Sequence, residues 1–140
     1  MSNQTEFNKK LDEIRKNAIF EVSSWGALGY GGVIVTADKS IYTYQSYCDY
    51  MSLELKETNF INKEDLTEEG FSKITKFIEN EIANKEFEDI MMFDVGSQVV
   101  INYKGITKKI ENNRELYAKA KEMINTILEK IEGNNYLSTL

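Results

Sequence analysis

The sequence predicts an α+β fold: one antiparallel sheet of about five or six strands, with about three helices packed on one face. Three observations lead there. Apolar residues recur at helical spacing in three separate segments. Short runs rich in β-branched and aromatic residues, divided by turn residues, read as strands and hairpins. The chain has 140 residues, 41% of them hydrophobic, which suits one domain with a real core. Three apolar helix stripes need a sheet face to cover, and the strands supply it.

The first helix is expected from Thr5, a capping residue, to about Asn17. Phe7, Leu11, Ile14 and Ala18 fall on one side of it. Ile19–Val22 reads as a short strand. The stretch Ser23–Gly32 holds four of the eight glycines and reads as a loop or a bulged strand. Val33–Thr36 and Ile41–Tyr44 flank the turn Ala37–Ser40 and form a hairpin. Met51, Leu53 and Leu55 alternate with polar residues and suggest an edge strand.

The second helix is expected from Lys63 to Asn84, capped by Asn62 with Asp65 and striped by Phe71, Ile74, Phe77, Ile78 and Ile82. Ile90–Phe93, Gln98–Tyr103 and Ile106–Ile110 are further strands. Asp94–Ser97 and Lys104-Gly105 turn between them. Asn112 with Glu115 opens the third helix, whose stripe runs from Leu116 to Ile131 and stops at Gly133. Residues 1–140 read as one domain, with 135–140 a frayed tail. Proline is absent, so every stop falls to Gly, Asn, Asp or Ser.

Composition removes several functions. Acidic residues outnumber basic ones 23 to 17, a formal charge of −6, which opposes binding to phosphate backbones. No run approaches the roughly 20 apolar residues of a membrane span, and Met1–Lys10 has no apolar leader. Cys48 is the sole cysteine, so an internal disulfide cannot form. A cytoplasmic location follows as the expectation. Asp49 beside Cys48 disfavours its thiolate, so the thiol reads as inert. The absence of histidine removes His-dependent hydrolysis and His-ligated zinc. No metal and no cofactor is expected.

Two sets of residues remain as candidate sites. Trp25, Leu28 and Tyr30 sit among the glycines, and Tyr42 and Tyr44 share one strand face. Together they read as a protein-binding surface, because Trp and Tyr are enriched at interface hot spots. Alternatively Gly29 and Gly31, with Asp38 and Asp94, line a small-ligand pocket. A phosphate cradle is disfavoured: a strand, not a helix, follows the glycines, and no Lys or Arg lies between Lys16 and Lys39. The function expected is therefore a non-enzymatic inhibitor of a partner protein, of the toxin-immunity or phage anti-defence type. A small-ligand binder or enzyme, and a structural or oligomerising module, are the alternatives. A protein partner is expected and self-association is open, whereas membrane and nucleic acid are not expected.

Overall fold

Strand pairing sets the architecture. A computed structural model of the chain describes residues 3–27, 29–49, 56–87 and 96–132. The elements are α1 (Asn3–Arg15), β1 (Ala18–Gly26), β2 (Gly29–Thr36), β3 (Ser40–Asp49), β4 (Lys56–Asp65), α2 (Glu68–Phe77), β5 (Gly96–Tyr103), β6 (Ile106–Glu111) and α3 (Arg114–Glu132). A π-helical stretch, Ile78–Ala83, continues α2. The strands form one six-stranded sheet in the order β4-β3-β2-β1-β5-β6. Every neighbouring pair is antiparallel. The α+β class is as the sequence predicts.

Helix placement differs from the expectation. The register puts Phe20, Val22, Val33, Val35, Ile41, Val99, Ile101 and Ile110 on one face, which α2, the π stretch and α3 cover through Ile74, Ile78, Ile82, Leu116, Ala120, Ile124 and Leu128. The first helix lies on the other face, where Phe7 and Leu11 pack on Ile34 and Tyr44. The helices therefore divide between the faces. The signal is in β2. Val33, Ile34 and Val35 are consecutive, all are fully buried, and side chains alternate along a strand, so both faces must be covered there.

Three boundaries move for identifiable reasons. The glycine-rich stretch is a hairpin, with Trp25 opposite Tyr30 and Gly26 opposite Gly29. The expected helix start at Lys63 is displaced because Asn62 and Asp65 pair with Thr43 and Ser40 on β3. The helix begins instead after Thr67, whose hydroxyl accepts from the Gly70 amide at 3.0 Å. In the third helix the cap is Asn113, whose side-chain oxygen accepts from Leu116 N at 3.0 Å. Asn112 takes a left-handed conformation (φ 56°), and its own side-chain oxygen accepts from the Ser97 amide at 3.1 Å. Lys104 and Gly105, at φ 50° and 79°, make the tight turn their sequence signals.

A bulge marks the start of β1. Ala18 pairs with Thr36 but Phe20 pairs with Val35, so β1 carries one extra residue there. Ile19 and Phe20 both reach the larger core, while Ala18 stays with α1. The expected strands at Met51–Leu55 and Ile90–Phe93, the stop at Gly133 and the tail 135–140 lie outside the described residues. Among the described residues, no helix is long and apolar enough to cross a membrane.

Candidate functional site

The face opposite the larger core is read row by row from the pairing. One row runs Lys63, Tyr42, Ile34, Glu21, Val100, Lys109. The next runs Ile61, Tyr44, Gly32, Ser23, Gln98, Glu111, and the third Asn59, Ser46, Tyr30, Trp25, Gly96. Four of the five sequence-predicted contact residues, Trp25, Tyr30, Tyr42 and Tyr44, thus point from a single face. The fifth, Leu28, lies outside the described residues.

The first helix divides this face. Over β2, β3 and β4 it lays Phe7, Leu11 and Ile14 against Ile34, Ile61 and the three tyrosines. The Phe7 and Tyr30 rings are 6.3 Å apart, and the Tyr30 hydroxyl donates to Asn8 Oδ1 at 3.0 Å. The Lys63 ammonium stands 5.9 Å from the centre of the half-buried Tyr42 ring. Trp25 lies on the β1–β5 side, over Gly96: a Cβ added to Gly96 would come within 2.6 Å of its indole. Trp25, Gln98 and Val100 are each half-buried, so this part of the face keeps solvent contact.

A charged triad ties the two halves together. Arg15, in the last turn of α1, donates from Nε and Nη2 to the two oxygens of Glu21, both at 2.9 Å. The Tyr44 hydroxyl donates to Glu21 Oε2 at 2.6 Å and accepts from Arg15 Nη2 at 3.3 Å. The Glu21 side chain is 6% exposed and that of Arg15 39%. A fork of two parallel N–H···O bonds fixes angle as well as distance. The hydrogen bond to Glu21 raises the Arg15 pKa, against the opposing effect of burial. Burial first, and the Glu21 charge second, push the Tyr44 hydroxyl well above its ordinary range. Tyr44 pairs with Gly32, and its hydroxyl reaches Glu21 on the strand beyond, so it spans β2.

Among the described residues, the alternative ligand candidates Gly29 and Asp38 do not converge. Gly29 opens β2 and Asp38 follows its other end, a separation of roughly 26 Å along an eight-residue strand. Gly31 is buried within β2. The Asp38 carboxylate accepts from the Thr36 hydroxyl, which lowers its pKa and makes it a turn-stabilising group. Asp94 lies outside the described residues. Among the described residues no cluster of three His, Cys, Asp or Glu could hold a metal ion. Tyr47, exposed, points from the opposite face with Thr43 and Gln45.

Glu21 and Arg15 are absent from the sequence-level candidates. A signal exists for each. Glu21 is the lone charge in the strand Ala18–Gly26, and Arg15 continues the spacing of four set by Phe7 and Leu11. Comparisons with protein-family models, curated proteins and solved structures find no match to this chain.

Proposed function

We propose that this chain is a protein-binding module that acts by occupying a partner, as an inhibitor of the immunity or anti-defence type would. The contact surface is the sheet face that carries Trp25, Gln98 and Val100 beside α1. One observation supports this reading above the others: the half-buried Trp25 leaves the sheet on the same side as Tyr30, Tyr42 and Tyr44 and stands beside the helix that covers those three. Large rigid aromatics gathered on one face are the composition of interface hot spots. Val100 and Gln98 extend the patch across β5, and Lys109 and Glu111, paired at 3.3 Å, give it a polar rim. The divergence of Gly29 and Asp38 gives the ligand-pocket alternative less support among the described residues.

The test uses the tagged full chain as bait in lysate of the cells that carry it, with Trp25→Ala, Val100→Arg and, as a control on exposed α2 surface, Lys76→Ser. A stoichiometric partner retained by wild type and Lys76→Ser, and weakened roughly 30-fold or more by the first two, is the hot-spot outcome. The purified partner's activity should fall as one equivalent of chain is added. Equal capture by all four proteins would overturn the assignment of this face.

A further inference from the structure

The trough beneath α1 is lined by tyrosine and isoleucine side chains together. Tyr30, Tyr42 and Tyr44 each carry a polar end on a large apolar ring, and Ile34 and Ile61 fill the floor between them. Aliphatic side chains dominate the larger core, with Tyr103 and Tyr117 packed against it. The first helix enters the trough with Phe7 and Leu11 as its buried apolar side chains, Ile14 packed beside them, Asn8 bonded to Tyr30, and Arg15 as its charged anchor. Residues 7, 11 and 15 are spaced by four, so they form one stripe of a helix. Only Lys16 and Asn17 join α1 to β1, and no strand pairing depends on the helix.

These observations define what the trough selects. It takes a helix with two large apolar residues at successive fourth positions, then a guanidinium four residues further on to meet Glu21. We propose that α1 is an autoinhibitory occupant of this trough, and that the partner presents an amphipathic helix of that pattern which replaces it. The recognition is of the helix-in-groove kind. Charge complementarity commits the third anchor to arginine, because Glu21 is nearly fully buried and takes two parallel N–H bonds at 2.9 Å. A lysine delivers a point charge and loses the fork. The proposal rests on the reading of this face as the contact surface and names the partner's chemistry.

The probe is a fluorescent peptide with the sequence of residues 3–16, titrated into the full chain. In wild type the tethered helix competes at an effective concentration in the millimolar range. In a Leu11→Ala chain that competition weakens, and the peptide should bind about tenfold more tightly, with resonances of Tyr30, Tyr42 and Tyr44 shifting. An Arg15→Ala peptide should bind that chain about tenfold more weakly, and a further Glu21→Gln change in the chain should erase the difference. Hydrogen exchange on the unaltered chain needs no variant to fold: α1 amides should exchange through an opening that leaves β1, β2 and β3 protected. Exchange of α1 only together with those strands, or no peptide binding to the Leu11→Ala chain, would overturn the proposal. Loss of partner capture on Trp25→Ala alongside a failed peptide titration would keep the face and reject the replacement by a helix.

Discussion

The two faces of this sheet are held by different physics. Among the described residues, one buries a cluster of eighteen, nearly all aliphatic, from β1, β2, β3, β5, β6, α2, the π stretch and α3, with Leu66 just before α2. The other buries four of the described residues, Phe7, Leu11, Ile34 and Tyr44, and adds the Arg15–Glu21–Tyr44 triad. Apolar burial scales with area and is indifferent to direction, so the first face supplies most of the driving force for folding. Charge-assisted hydrogen bonds are directional, and a buried ion pair returns little net energy once desolvation is counted. The triad therefore fixes where α1 sits more than it adds to stability. Local release of such a helix, with the rest folded, is what the proposed replacement of α1 requires.

The comparison is broken most directly by truncating one core side chain on each face. Ile124→Ala, at a fully buried position of α3, should cost about 2–5 kcal/mol and lower the urea midpoint for every probe alike. Leu11→Ala removes a side chain that is also almost fully buried, yet its cost is capped by the free energy of docking α1. It should cost less than Ile124→Ala, with helix loss by circular dichroism preceding the change in Trp25 fluorescence. Equal costs with coincident transitions would show that both faces belong to one cooperative unit.

The asymmetry was partly legible in the sequence. Periodicity found all three helices because the apolar stripes of α2 and α3 are long and regular. It could not say which sheet face each would cover, since a stripe records burial and not the identity of its neighbour. The run Val33-Ile34-Val35 carried that information, because three consecutive buried residues in a strand require two covered faces. For the glycine-rich stretch the sequence leaves loop and bulged strand open, and the structure takes the strand: glycine lowers strand propensity, but pairing of β2 with β1 and β3 on both sides overrides it. The aromatic candidates of β1, β2 and β3 were found because alternation within a strand is local. The triad was not, because Arg15 and Glu21 meet only when α1 folds back across the sheet.

Gly32 sharpens the comparison from within the sheet. A Cβ there would stand 2.5 Å from Val22 O and 2.6 Å from Ser23 Cβ, on the face that Tyr44 spans. Backbone atoms of a paired strand cannot step aside, so Gly32→Ala must separate β1 from β2 or displace Tyr44. A cost of about 1–3 kcal/mol is expected, as for overpacking elsewhere. Heteronuclear spectra decide which response occurs. Shifts confined to Tyr44, Glu21 and α1 would mean that the second face yields while the aliphatic face stays intact. Shifts throughout Val22, Val33 and Val99 would mean that the two faces are mechanically coupled.

The smallest effect tests the triad alone. Tyr44 holds its proton above the ordinary tyrosine value of 10.0, because its hydroxyl is buried and donates to the Glu21 carboxylate. Above pH 10.0 the unfolded chain releases this proton while the folded chain keeps it. The unfolded state then binds fewer protons, so stability is fully present below that pH and declines as pH rises beyond it. The raised Arg15 pKa acts in the same direction at still higher pH. Tyr44→Phe deletes the titrating group. It should cost about 1–2 kcal/mol at neutral pH, where Glu21 loses a donor, and should flatten the alkaline decline. Urea midpoints of the two proteins should therefore converge as pH is raised through 10.0. Parallel curves would mean that the hydroxyl ionises alike in both states, and that α1 does not seal the trough well enough to keep hydroxide out.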